Sequence, residues 1–178
     1  MVLALVVSPV FAVTALAQNQ TFQDVVKKVE ARVDSASAKR GETVKWSLTV
    51  EIADGWHTYP TKQNDPKADS YVNKIKFANQ GGAIFVGELK EPATVERKED
   101  EANISIVEGS GTWQRAIVIS PDAKPGKIKI QVPIKILACA DRCLPPQTVT
   151  TEVELTISDD PAVPVDPKYR KEVNAAKK

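Results

Sequence analysis

Val44-Lys-Trp-Ser-Leu-Thr-Val-Glu-Ile52 sets Val44, Trp46, Leu48, Val50 and Ile52 against Lys45, Ser47, Thr49 and Glu51 in strict alternation. Successive side chains of a strand point to opposite faces, so a period of two predicts a strand that covers a core with one face only. Gly41 just before it supplies the turn. The same reading gives further strands at 31–35, 74–78, 83–86, 104–107, 113–119, 127–138 and 147–157, separated by Gly, Pro, Asp and Asn clusters. No stretch between 30 and 158 holds a 3.6-residue period. About eight short strands over roughly 130 residues predict an all-β fold, an immunoglobulin-like β-sandwich.

In the strand predicted at 127–138, Ile128, Ile130, Val132, Ile134 and Ile136 share one face, and Lys127, Lys129, Gln131 and Lys135 the other. Cys139 falls in register with the lysine face. Provided no bulge intervenes, its sulfur should point away from the main core and be open to reaction. Pro133 interrupts this strand, and a proline there marks an edge or a bulge.

The 178 residues include 24 basic and 23 acidic side chains, a balance that gives no field to gather nucleic acid or an anionic membrane. With one histidine and one methionine, a multi-histidine metal centre within one chain is excluded. Residues 1–17 are apolar and end in Ala15-Leu-Ala17, the small-x-small pattern of a signal-peptidase site, although no Lys or Arg precedes the apolar run. That run is short for a bilayer and broken by Pro9. The expectation is a cleaved export signal and a periplasmic or otherwise extracytoplasmic protein. No later segment is long and apolar enough to cross a membrane. The expected organisation is a signal peptide at 1–17, a lead-in at 18–28 that is either one helical turn or disordered, one domain at 29–158, and a proline-rich, charged tail at 159–178 that packs loosely or not at all.

The only cysteines, Cys139 and Cys143, lie in Leu137-Ala-Cys-Ala-Asp-Arg-Cys-Leu-Pro-Pro146 at a reversal between two strands. Export places them where disulfides persist. As a crosslink the pair would be weak: a loop this short contributes roughly 2 kcal/mol, against about 4.7 for one of a hundred residues. A domain of this size has core enough to fold without it. Redox chemistry is the stronger reading, and a structural hairpin disulfide the plain alternative.

Gly55-Trp-His-Thr-Tyr-Pro60, directly after the first alternating strand, and the later Cys-Ala-Asp-Arg-Cys-Leu-Pro-Pro together resemble the N-terminal periplasmic domain of the thiol:disulfide interchange protein DsbD, over about residues 29–158. The resemblance implies an immunoglobulin-like domain that takes electrons from a thioredoxin-like partner and passes them to periplasmic acceptors. Its cysteine pair would cycle between dithiol and disulfide with no further cofactor. The implied partners are thioredoxin-fold proteins and a DsbD-like membrane electron donor, in oxidative folding, cytochrome c biogenesis or metal-stress defence. The resemblance assigns partner bonding to Cys143 and leaves Cys139 as the resolving thiol. Two departures stand out. The relatives separate their cysteines by four or five residues, whereas only Ala140, Asp141 and Arg142 intervene here. They also shield the pair with a loop bearing an aromatic residue, and the matching stretch at 99–106 has none, which leaves Ile104 or Ile106 to shield it, or nothing. The membrane and thioredoxin-like domains of the full-length protein are also absent from this sequence, so separate partners are expected.

Disulfide transfer needs one accessible sulfur and a second to resolve the adduct. Beside the cysteines, Asp141 is a candidate proton relay or a charge opposing thiol ionisation, and Arg142 a charge favouring the thiolate. The alternative for both is an exposed turn. Pro145 and Pro146 stiffen the exit from the reversal. His57 and Tyr59 are candidate supporting residues, His57 because imidazole titrates near neutrality, although Trp56, Tyr59 and Trp113 read first as packing. Two other functions compete with exchange. One is a non-catalytic immunoglobulin-like binding module whose small disulfide pins a recognition loop. The other is Cu(I) held by both thiolates and His57, ligands that suit a soft ion.

Overall fold

The computed structural model describes residues 20–99 and 101–176, so the signal peptide expected at 1–17 lies outside the described residues. A one-turn helix α1 (Phe22–Val25) leads into β1 (Val26–Val33). There follow β2 (Ser37–Ala38), β3 (Thr43–Ile52), β4 (His57–Thr58), β5 (Lys74–Ile75), β6 (Ala83–Lys90), β7 (Val95–Glu99), β8 (Ala102–Glu108), β9 (Ser110–Ile119), β10 (Gly126–Ile136), β11 (Gln147–Ile157) and a helix α2 (Arg170–Ala176). Two four-stranded sheets, ordered β1-β3-β9-β6 and β2-β11-β10-β5, make an immunoglobulin-like sandwich, and a three-stranded sheet β4-β8-β7 stands beside them.

The alternation of β3 does what it predicts: Val44, Trp46, Leu48, Val50 and Ile52 are all buried. Trp46 meets Phe77 and Phe85 edge to face, with ring centroids 5.3 and 6.1 Å apart. The opposite sheet supplies Ile130, Val132, Ile134 and Ile136 from β10 and Val153, Leu155 and Ile157 from β11, and Trp113 joins the same core. Pro133 causes no bulge, since β10 and β11 stay in register from Gly126 to Ile136, but it stands where the other side of β10 is nearly an edge. Its carbonyl accepts from the Lys76 N–H at 3.0 Å. In an antiparallel strand a residue's N and O point the same way, so the missing N–H also faces β5, whose ladder is only two residues long.

Both segments flanking the domain, as far as they are described, are packed onto it. The described part of the lead-in, 20–28, holds the expected helical turn and is part of the fold: Phe22, Val25 and Val26 are buried in the main core, and the Ala53 N–H donates to the Val25 carbonyl at 2.8 Å. The tail at 159–178 packs as well, as far as it is described. The Val163 N–H donates to the Arg40 carbonyl at 2.8 Å, and a Cβ on Gly41, which has φ +84°, would lie 1.9 Å from the Val163 oxygen. Gly41 thus both turns the chain and lets the tail approach. Val173 of α2 is buried against Ile84, Val86 and Val118 on the outer face of the first sheet, and Glu172 accepts from the Gly87 N–H at 2.9 Å.

The position of Phe22 can be tested directly. Phe22→Ala should cost about 3 kcal/mol or more of stability in urea unfolding, the usual price of truncating a buried phenylalanine. A change within about 0.5 kcal/mol, typical of a surface site, would return 18–28 to the status of a lead-in.

Candidate functional site

β10 ends at Ile136, and the chain then leaves the ladder to form the cysteine turn. Asn73, which is 2% exposed, holds that departure in place. Its Oδ1 accepts from the Leu137 N–H at 2.9 Å, and its Nδ2 donates to the Tyr59 carbonyl at 2.7 Å. The Thr58 hydroxyl donates to the Leu137 carbonyl at 2.8 Å. β4 is thereby clamped to the end of β10. Beyond that clamp, His57 and Cys139 exchange a pair of main-chain hydrogen bonds, 2.9 and 3.0 Å.

Cys139 and Cys143 form a disulfide with Cα atoms 3.9 Å apart. Their two ends differ sharply in environment. Cys143 is exposed, together with Asp141 and Arg142 at the tip. Cys139 is only 2% exposed, which corrects the expectation of an open sulfur at this position. It does turn away from the main core, but into a second apolar cluster with Tyr59, Ala68, Ile104 and Ile106. The cause is the break in register after Ile136: the cysteine pairs with β4 instead of continuing β10, and β8 pairs with β4 through His57↔Glu108 and Thr58↔Val107. Leu144, buried, returns the chain to the core, with its N–H donating to the Ala138 carbonyl at 2.9 Å.

Ile104 and Ile106 therefore pack in the cluster that contains Cys139. Their strand is tied down by residues that the sequence did not single out. The Gln63 side chain donates to the Tyr71 and Ser105 carbonyls at 2.6 and 3.0 Å and accepts from the Ser105 N–H at 2.8 Å. Asp65 accepts from the Asn103 N–H at 2.9 Å, and Arg97 of β7 pairs with Glu108 of β8. Among the described residues, no group of three or more His, Cys, Asp or Glu comes together as a metal site.

His57 and Tyr59 form a buried pair, with Nε2 and the phenol oxygen 3.0 Å apart. Burial, reinforced by Arg97, lowers the His57 pKa, while Glu99 and Glu108 oppose the shift. Burial pushes the Tyr59 phenol upward, so it keeps its proton. The stability consequence has a definite sign. Below the ordinary histidine pKa near about 6.5 the unfolded chain binds a proton that folded His57 resists, so stability falls as pH drops through that value until the folded ring itself titrates. Urea unfolding at about pH 7.5 and about pH 5.5 should register the loss, and His57→Phe should flatten it. An equal loss in the variant would mean that another group is responsible. Asp65, whose pKa is lowered by the Asn103 and Lys67 N–H groups, gives up its stabilisation only near and below about pH 4, so the two windows are separate.

A disulfide between one exposed and one covered cysteine thus stands at the turn where the chain leaves an immunoglobulin-like sandwich, an arrangement open to thiol-disulfide exchange. The family model described as thiol:disulfide interchange protein DsbD, N-terminal, matches residues 22–155, and the chain belongs to that family. The match begins at the first residue of α1 and stops within β11, short of the tail. Among solved structures, the chain is similar to the reduced DsbD N-terminal domain of Neisseria meningitidis, at 11% identity and a TM-score of 0.48, covering 79% of this chain and 96% of that one. It is also similar to the N-terminal periplasmic domain of ScsB from Proteus mirabilis, at 15% identity and a TM-score of 0.43, covering 82% of this chain and 51% of that one. A comparison with curated proteins returns no match.

Proposed function

We propose that the domain works outside the cytoplasm, passing electrons between thioredoxin-fold partners through Cys139 and Cys143, with a DsbD-like membrane protein as donor. The observation that carries this reading is the asymmetry of the bond: Cys143 is exposed while Cys139 is covered. A reduced partner's thiolate attacks the Cys143 Sγ, the Cys139–Cys143 bond breaks, and Cys139 leaves with the electron pair. The partner's second thiolate then attacks its own sulfur in the mixed disulfide and releases Cys143. The partner is oxidised by two electrons and the pair becomes a dithiol. Delivery runs in reverse, with Cys143 attacking an acceptor disulfide and Cys139 resolving the adduct.

A thiolate released among Tyr59, Ile104 and Ile106 is disfavoured by desolvation, so Cys139 is a poor leaving group unless it is protonated or the hairpin opens. Tyr59, which keeps its proton and lies 3.0 Å from the His57 Nε2, is the polar group of that cluster and can stabilise the leaving sulfur by hydrogen bonding rather than by giving up its proton. Exposure of Asp141 and Arg142 at the tip supports a role for them in meeting the partner. Extracytoplasmic placement rests on the family, and among the described residues no helix is long and apolar enough to cross a membrane.

Burial of Cys139 also suits the second reading, a binding module with a structural crosslink. A redox titration separates the two. Exchange requires a midpoint above about −300 mV and reduction of the pair by reduced thioredoxin, whereas structural disulfides of secreted proteins usually lie below that value. A lower midpoint together with resistance to thioredoxin would replace exchange by the binding module.

A further inference from the structure

The outer face of the sheet that contains β10 is chemically uneven. Toward Gly126, Lys129 is paired with Glu152 at 2.6 Å, and Gln131 holds the same carboxylate. At the other end, Lys74, Lys76, Pro133, Lys135 and Thr148 line a groove that no carboxylate among the described residues borders. Lys74 and Lys135 are direct cross-strand partners, and like charges so placed destabilise a sheet. Among the described residues, none of the three lysines belongs to an ion pair. Fold stability gives no reason for this arrangement.

Its position does. Lys135 precedes Cys139 by four residues, at most about 14 Å of extended chain. Lys74 follows Asn73, which holds the Leu137 N–H at the root of the cysteine turn. With formal net charge +1, the whole chain does little to steer a partner, so a local cluster near the root of the cysteine turn decides which charge is favoured there. We propose that this lysine groove is an electrostatic docking surface for an acidic patch bordering the reactive cysteine of the thioredoxin-fold partner. The proposal rests on the exchange reading and adds the partner's surface charge to it.

The test uses reduced Cys139→Ser protein and two peptides, each with one cysteine activated as a mixed disulfide with 5-thio-2-nitrobenzoate. One carries a run of glutamates beginning four residues from that cysteine, and the other carries glutamines. The Cys143 thiolate attacks the peptide sulfur, the protein–peptide disulfide forms, and the coloured thiolate leaves with the electron pair, so no further oxidant is needed. The glutamate peptide should react about tenfold faster at low ionic strength and lose most of that advantage at about 0.5 M salt. Joint replacement Lys74→Gln, Lys76→Gln and Lys135→Gln should abolish the advantage and leave the glutamine-peptide rate unchanged. Equal rates for the two peptides on the unaltered lysine face, or an advantage that survives the triple replacement, overturn the docking surface while exchange stands. Failure of Cys143 to react with either peptide removes the exchange reading and the proposal with it. Sedimentation of the protein with phosphatidylserine vesicles, abolished by the same replacements, would reassign the groove to a lipid surface.

Discussion

Cys143→Ser is expected to abolish electron transfer, a loss of at least about a thousandfold, because a serine hydroxyl is no substitute for a thiolate nucleophile at neutral pH. Cys139→Ser should stop the reaction at a different point. With Cys143 still exposed and no second thiol in the domain, the variant should accumulate a mixed disulfide with a thioredoxin that keeps only its attacking cysteine, activated as the 5-thio-2-nitrobenzoate disulfide, so that neither protein holds a thiol able to resolve the adduct. Initial rates of thioredoxin oxidation by the disulfide form, and non-reducing electrophoresis of each variant, read the two effects separately. An adduct formed by Cys143→Ser and not by Cys139→Ser would exchange the roles of the two cysteines. Nothing about burial of the 139 position would then describe the working state.

Asn73→Ala should be the most damaging change at the site that leaves the sulfurs in place. It strips partners from the Leu137 N–H and the Tyr59 carbonyl, both otherwise held by the one amide, and from the neighbourhood of Thr58. Each buried group left unsatisfied costs about 1–3 kcal/mol, and because the groups share one network the total is less than a simple sum, about 3–5 kcal/mol. That is a large part of the 5–15 kcal/mol available to a typical domain. Asn103→Ala, whose side chain is exposed on β8, is the control and should change urea stability by no more than about 0.5 kcal/mol. Equal effects from the two variants would remove Asn73 from its place as the clamp.

The sequence was informative where one face of a strand meets a core and the other meets water. β3, β10 and β11 satisfy that condition, and their alternation gave the sandwich. β7 does not: Val95 to Glu99 are exposed throughout, so no alternation marks the strand. β4 is too short for any period to register, yet it carries His57 and pairs with the cysteine turn. The tail was misread because its prolines suggested an unpacked segment. A contrary signal was present in Ala83-Ile-Phe-Val86 and Ile117-Val-Ile119, which are apolar on both faces and therefore require cover on the outer side of the sheet. The cysteines themselves were legible from spacing and family motif. Their unequal exposure was not, because it depends on where β10 stops and on Asn73, an isolated polar residue whose importance comes from burial.

The paired main-chain bonds between His57 and Cys139 hold the inner cysteine whether or not its sulfur is bonded. Opening the crosslink therefore liberates motion mainly in Ala140, Asp141, Arg142 and Cys143, while the framework beneath keeps its shape. On the exchange reading proposed above, oxidised and reduced forms would differ as two settings of a small latch on a fixed frame, with little rearrangement of the protein at each visit.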